Sequence, residues 1–166
     1  MGLFSGLLGL FKKNPLAKEI ELLQYAKYYV DSARSFVIQF GRIEEKNIPK
    51  FAVKIRNDII KAEKCYLQAN QKESGKQCKL LIELFSFLDK NPHFDSRTIA
   101  RYNELCRQSG VHYGISSMAE IGSGVESIAN QLETLARTTQ NSIYKLEKEI
   151  ERSKYAPLPE RYQYGY

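Results

Sequence analysis

Apolar residues recur at spacings of three and four along most of this 166-residue chain, with polar residues between them, which is the mark of amphipathic helices. Leu16, Ile20, Leu23, Ala26, Val30, Ala33, Val37 and Phe40 predict a helix of about 25 residues, opened by Asn14-Pro15 and closed near Gly41. Leu22, Tyr25, Tyr29 and Phe36 form a second stripe, so two sides of this helix are expected to be covered. Ile48, Ala52, Ile55, Ile59, Ala62, Tyr66 and Ala69 keep the rhythm in a second helix, with Pro49 in its first turn and its end near Asn70. The polar run Gln71–Gly75 reads as a turn. Cys78, Leu81, Ile82, Phe85 and Leu88 make a short, strongly apolar helix that Asn91-Pro92 stops. Ser96 caps another, carrying Ile99, Tyr102, Leu105 and Cys106 and ending at Gly110.

The last helix reads as the longest. Met118, Ile121, Val125, Ile128 and Leu132 step by three and four; Ala136, Thr139, Ile143, Leu146 and Ile150 continue after a one-residue slip. A seam of about 35 residues outruns the other helices. Leu132, Ala136, Thr139, Ile143, Leu146 and Ile150 are therefore expected to pair with a second chain, the alternative being an ordinary long bundle helix. Gly122, Ser123 and Gly124 interrupt it as a hinge or a flat contact. Their Gly-x-Gly follows no strand and lacks a third glycine, so it makes no nucleotide loop. No segment alternates with a period of two. The fold is expected to be all-α, a helical bundle of four to five helices over residues 14–154.

Two short segments flank the bundle. In residues 1–13, Leu3, Phe4, Leu7, Leu8, Leu10 and Phe11 fall within roughly 160° of arc on a helix, with Ser5, Gly6, Gly9, Lys12 and Lys13 opposite. Such a strip needs a membrane surface or an apolar groove, on a partner protein or in the chain's own core. It is far shorter than the ~20 residues that span a bilayer. Its lysines follow the apolar run, whereas a secretory signal places them before it. Gly2 lacks the Ser or Thr that myristoylation wants at the sixth position, where Gly6 stands. A cytoplasmic protein on the peripheral face of a membrane is the expectation. Met1-Gly2-Leu3-Phe4 and the short amphipathic helix resemble the N-terminal anchors of the ESCRT-III and phage-shock-protein A membrane-remodelling families. Those families continue as a very long charged hairpin, whereas this chain breaks at Gly41, Gly75, Pro92 and Gly110. The resemblance implies the physics of the anchor and not membership.

The tail, residues 155–166, cannot continue a helix past Pro157 and Pro159, and four of its twelve residues are Tyr. Ala156-Pro157-Leu158-Pro159-Glu160-Arg161 is similar to a proline-rich SH3 ligand with Ala156 in place of the first proline. A tail whose Pro157, Pro159, Arg161, Tyr162, Tyr164 and Tyr166 dock on the bundle or a neighbouring subunit is the stronger expectation.

Charge adds a direction. Of the net +6, residues 1–110 contribute +7 (19 basic, 12 acidic) and residues 111–166 contribute −1 (6 basic, 7 acidic). The basic part is the part joined to the strip, which favours an anionic lipid surface on that side. Nucleic acid is disfavoured, since acidic residues interleave the basic ones and no Lys/Arg run exceeds two.

Chemistry is sparse. Cys65, Cys78 and Cys106 form no Cys-x-x-Cys pair and are expected to be buried free thiols; Cys106 and His112 alone do not make a metal site. His93 and His112 fall in loops. Glu44, Glu45, Glu147, Glu149 and Glu151 sit among Lys46, Lys145, Lys148 and Arg152 and read as solvated, ion-paired faces. No catalytic residue, cofactor or metal is expected. The sequence thus points to a non-enzymatic scaffold or adaptor on a membrane surface. The alternative is a structural subunit of a homo- or hetero-oligomer, docked through the strip, the long seam and the tail.

Overall fold

The computed structural model describes residues 14–40, 45–91, 96–110 and 125–154. Within them the chain forms five helices and no strand: α1 (Pro15–Phe40), α2 (Ile48–Gln68), α3 (Lys72–Lys90), α4 (Ser96–Gln108) and α5 (Val125–Lys154). A single 3-10 turn, Glu45–Asn47, leads into α2. The all-α bundle expected from the hydrophobic spacing is the observed architecture.

The helix ends follow from local chemistry. Asn14 accepts the Leu16 amide on its side chain at 3.0 Å, and Pro15 occupies the first turn, where its missing N–H costs nothing. α2 ends in a Schellman motif: the Gln71 amide reaches the Tyr66 carbonyl at 2.8 Å and the Asn70 amide the Leu67 carbonyl at 3.2 Å. That closure puts Asn70 in the left-handed region, φ 57°. Gly110, φ 75°, closes α4 in the same way, its amide on the Arg107 carbonyl at 3.2 Å.

The turn between α2 and α3 differs from the expected one. The turn is Ala69–Gln71, not Gln71–Gly75, and Gly75 lies buried inside α3. Its role is closeness: a Cβ there would stand 2.8 Å from Leu67 Cδ2 of the preceding helix.

α1 packs against both α2 and α5, α2 against α3, and α3 against α4. α1 and α2 are antiparallel, since Phe36 meets Phe51, Ser32 meets Asp58 and Tyr29 lies under Lys61. α1 and α5 are antiparallel as well. Arg34 pairs with Glu133 at 3.3 Å, and the groove between the two helices runs from Asp31 and Gln140 toward Gln24 and Glu147. α5 reaches α2 and α3 through side chains, by Tyr66–Thr139 at 2.6 Å and Gln77–Gln131 at 3.4 Å. The core takes Ile20, Leu23, Val30 and Val37 of α1 with Ile55, Ile59 and Tyr66 of α2. Leu81, Leu84, Phe85 and Leu88 of α3, Tyr102 of α4 and Leu132 and Ile143 of α5 complete it.

Two packing expectations need correction. In the second stripe of α1, Leu22, Tyr29 and Phe36 are partly covered, but Tyr25 is 52% exposed. Among the thiols, Cys78 and Cys106 are buried and Cys65 is only half-buried.

Candidate interaction surface

The six seam residues of α5 are spent within the chain. Leu132, Ala136, Thr139 and Ile143 are buried in the bundle core, and Leu146 and Ile150 pack partly against it. This placement is the one expected of an ordinary long bundle helix, with α1 packed along α5. The start of the long seam at Met118 and Ile121, the Gly122–Gly124 break, His93 and His112 all lie outside the described residues. So do Leu3, Phe4, Leu7, Leu8, Leu10, Phe11, Lys12 and Lys13 of the strip, and Pro157, Pro159, Arg161, Tyr162, Tyr164 and Tyr166 of the tail.

What the fold does fix is where those segments join. With α1 and α5 antiparallel, Asn14 and Lys154 come to the same end of the bundle. The C-terminal end of α2 points to that end too, because α2 runs antiparallel to α1.

Large apolar side chains stay exposed on α1 and α5: Tyr25 at 52%, Tyr28 at 67% and Tyr144 at 57%. Tyr28 stacks edge-on against Tyr29 at 5.4 Å, and the Lys148 ammonium lies 5.4 Å from the Tyr144 ring. Lys148 also pairs with Glu151 at 3.5 Å, as the charge pattern of this helix led one to expect. Ion pairs of this exposed kind contribute little.

A different surface carries one sign of charge. On α2, Lys50, Lys54, Asn57, Lys61, Lys64 and Gln68 are all exposed, and their spacing places them within about 80° of arc. The two acidic residues of α2 are turned aside. Asp58 accepts a hydrogen bond from the Ser32 hydroxyl of α1 at 2.7 Å. Glu63 is half-buried and close enough to Cys78 of α3 for its charge to add to the burial that pushes that thiol up to about 12. The seam between α1 and α2 supplies rings beneath the lysines. Lys54 Nζ lies 5.5 Å from the Phe36 ring and 5.7 Å from Phe51, and Lys61 Nζ lies 5.4 Å from Tyr29. Sequence order hid this row, since Asp58 and Glu63 interleave it in the chain; spacing the lysines at helical period would have found it.

Among the described residues no group of three or more His, Cys, Asp or Glu is arranged to hold a metal ion, and no helix is long and apolar enough to cross a membrane. No protein-family model, curated protein or solved structure matches the chain.

Proposed function

We propose that the protein is a non-enzymatic helical scaffold or adaptor, held peripherally on the cytoplasmic face of an anionic membrane by residues 1–13. The amphipathic strip Leu3–Phe11, followed by Lys12 and Lys13, carries this reading. Six large side chains, half buried at a lipid interface, contribute roughly 1 kcal/mol each. That offsets the ~1 kcal/mol that Gly6 and Gly9 each cost a helix. The bundle builds one apolar core from all five described helices, α1 through α5, without needing residues 1–13 for those contacts.

Vesicle co-sedimentation tests it. The parent protein is expected to sediment with phosphatidylcholine–phosphatidylserine vesicles, and Phe4→Asp or Leu8→Asp to abolish this while helix content and melting stay unchanged. Mutants that sediment like the parent would overturn the proposal.

A structural subunit is the second reading, and exposed Tyr25, Tyr28 and Tyr144 favour it. It requires a stable oligomer in lipid-free buffer, and a clean monomer by light scattering rules it out.

A further inference from the structure

From the lysine row of α2 we infer a second lipid contact, a headgroup-binding ridge that fixes which side of the bundle faces an anionic bilayer. The inference rests on the membrane reading above and adds the orientation that a strip alone does not give.

Helical sorting is the first observation. Lys50 to Lys64 spans about 21 Å of helix, long enough to meet several headgroups in line. None of Lys50, Lys54, Lys61 and Lys64 is in an ion pair among the described residues. A solvated helix face gains from mixed signs at i,i+4, whereas Lys50 and Lys54 at that spacing repel. Of the two acidic residues of α2, Asp58 accepts from Ser32 of α1 and Glu63 is half-buried on the side toward α3, so neither stands in the lysine row.

Placement is the second. The hairpin Lys46–Lys90 has ten basic and five acidic residues, so it carries +5 of the whole chain's +6. Lys72, Lys76 and Lys79 are exposed on α3, beyond the Ala69–Gln71 turn. That turn lies toward the end of the bundle from which residues 1–13 depart. The ridge thus runs toward the end of the bundle at which Asn14 stands.

Support for the ammonium groups is the third. Phe36, Phe51 and Tyr29 lie under Lys54 and Lys61, which stay exposed above them. Rings in the α1–α2 seam hold these charges outward and limit the freedom they lose on binding.

The ridge is directed at phosphatidylserine-type headgroups and not at nucleic acid, because the same chain opens with an apolar strip that a nucleic acid has no means to cover. The test combines Lys50→Gln, Lys54→Gln, Lys61→Gln and Lys64→Gln in the full chain. All four sites are exposed, so circular dichroism and melting serve as the check on folding.

The variant is expected to bind phosphatidylserine-containing vesicles at least a hundredfold more weakly than the parent, at about fivefold per charge removed. Binding to pure phosphatidylcholine should match the parent's, and raised salt should erase the difference between the two proteins. Equal binding of variant and parent to the anionic vesicles overturns the ridge and leaves the strip reading standing. A parent that binds no vesicle overturns both. Ridge-dependent retention of single-stranded RNA without vesicle binding overturns both and assigns the row to nucleic acid. If the quadruple variant melts early, the pair Lys54→Glu and Lys61→Glu is read on the same vesicles with the same outcomes.

Discussion

The Tyr66 hydroxyl lies 2.6 Å from the Thr139 hydroxyl in the buried contact between α2 and α5. Thr139 sends its own proton to the Leu135 carbonyl at 2.7 Å, so Tyr66 is the donor between them. This pair is a polar cross-link in an apolar layer, and it ties α5 to α2.

Removing each partner is expected to have unequal effects. Tyr66→Phe deletes the donor and leaves Thr139 bonded to Leu135, costing about 1 kcal/mol. Thr139→Val leaves a buried tyrosine hydroxyl with no acceptor and costs more, about 2 kcal/mol. Urea denaturation of both variants checks the order; a larger loss for Tyr66→Phe would contradict the donor assignment.

Alkaline pH is expected to weaken the bundle. Burial, with the Glu63 charge adding to it, raises the Cys78 thiol from its ordinary 9.0 to about 12. Burial also lifts Tyr66 and Tyr102 above their ordinary 10.0. Below pH 9 the three groups are protonated in both states. Above it the unfolded chain sheds protons that the folded chain keeps, so stability falls with rising pH. The urea midpoint should decline from pH 9 toward pH 12, and a midpoint that stays flat to pH 11 would refute the linkage.

The α5 seam gives a sharp contrast between core and interface. Ile143 is 2% exposed in the chain's own core. Ile143→Asp is expected to destabilise by more than about 3 kcal/mol and to lower the melting temperature of dilute protein. If the seam instead served a second copy, the variant would remain folded and only its assembly state would change in sedimentation.

Position 70 reports on the Schellman closure. Asn70→Gly keeps the left-handed backbone and should be neutral to slightly stabilising, whereas Asn70→Val should cost about 1–2 kcal/mol. Thermal melts of the two variants distinguish them, and equal melting would show that φ 57° at this residue carries no strain.

Much of the bundle could be read before the structure. In α2 every residue of the apolar series from Ile48 to Ala69 is buried, because six turns of one amphipathic face leave a single way to orient. Gly110 was legible as a stop, since a glycine after the last apolar pair is the usual left-handed closure. Gly75 carried the same signal with another cause, and only the approach of Leu67 separates the two.

The α5 periodicity specified a buried stripe but not whose helix would cover it. The lysine row is hidden for a related reason. Along the chain Asp58 and Glu63 interrupt it, whereas a ligand meets charge around the helix, where both have turned away.

Because α1 and α5 run in opposite directions side by side, the first and last turns of the bundle are neighbours. A short peptide joining them would close the polypeptide into a ring, and reopening it at Ala69–Gln71 would give new termini without dividing a helix. The rearranged chain would have the same helix pairings open to it, so it is expected to fold to the same bundle.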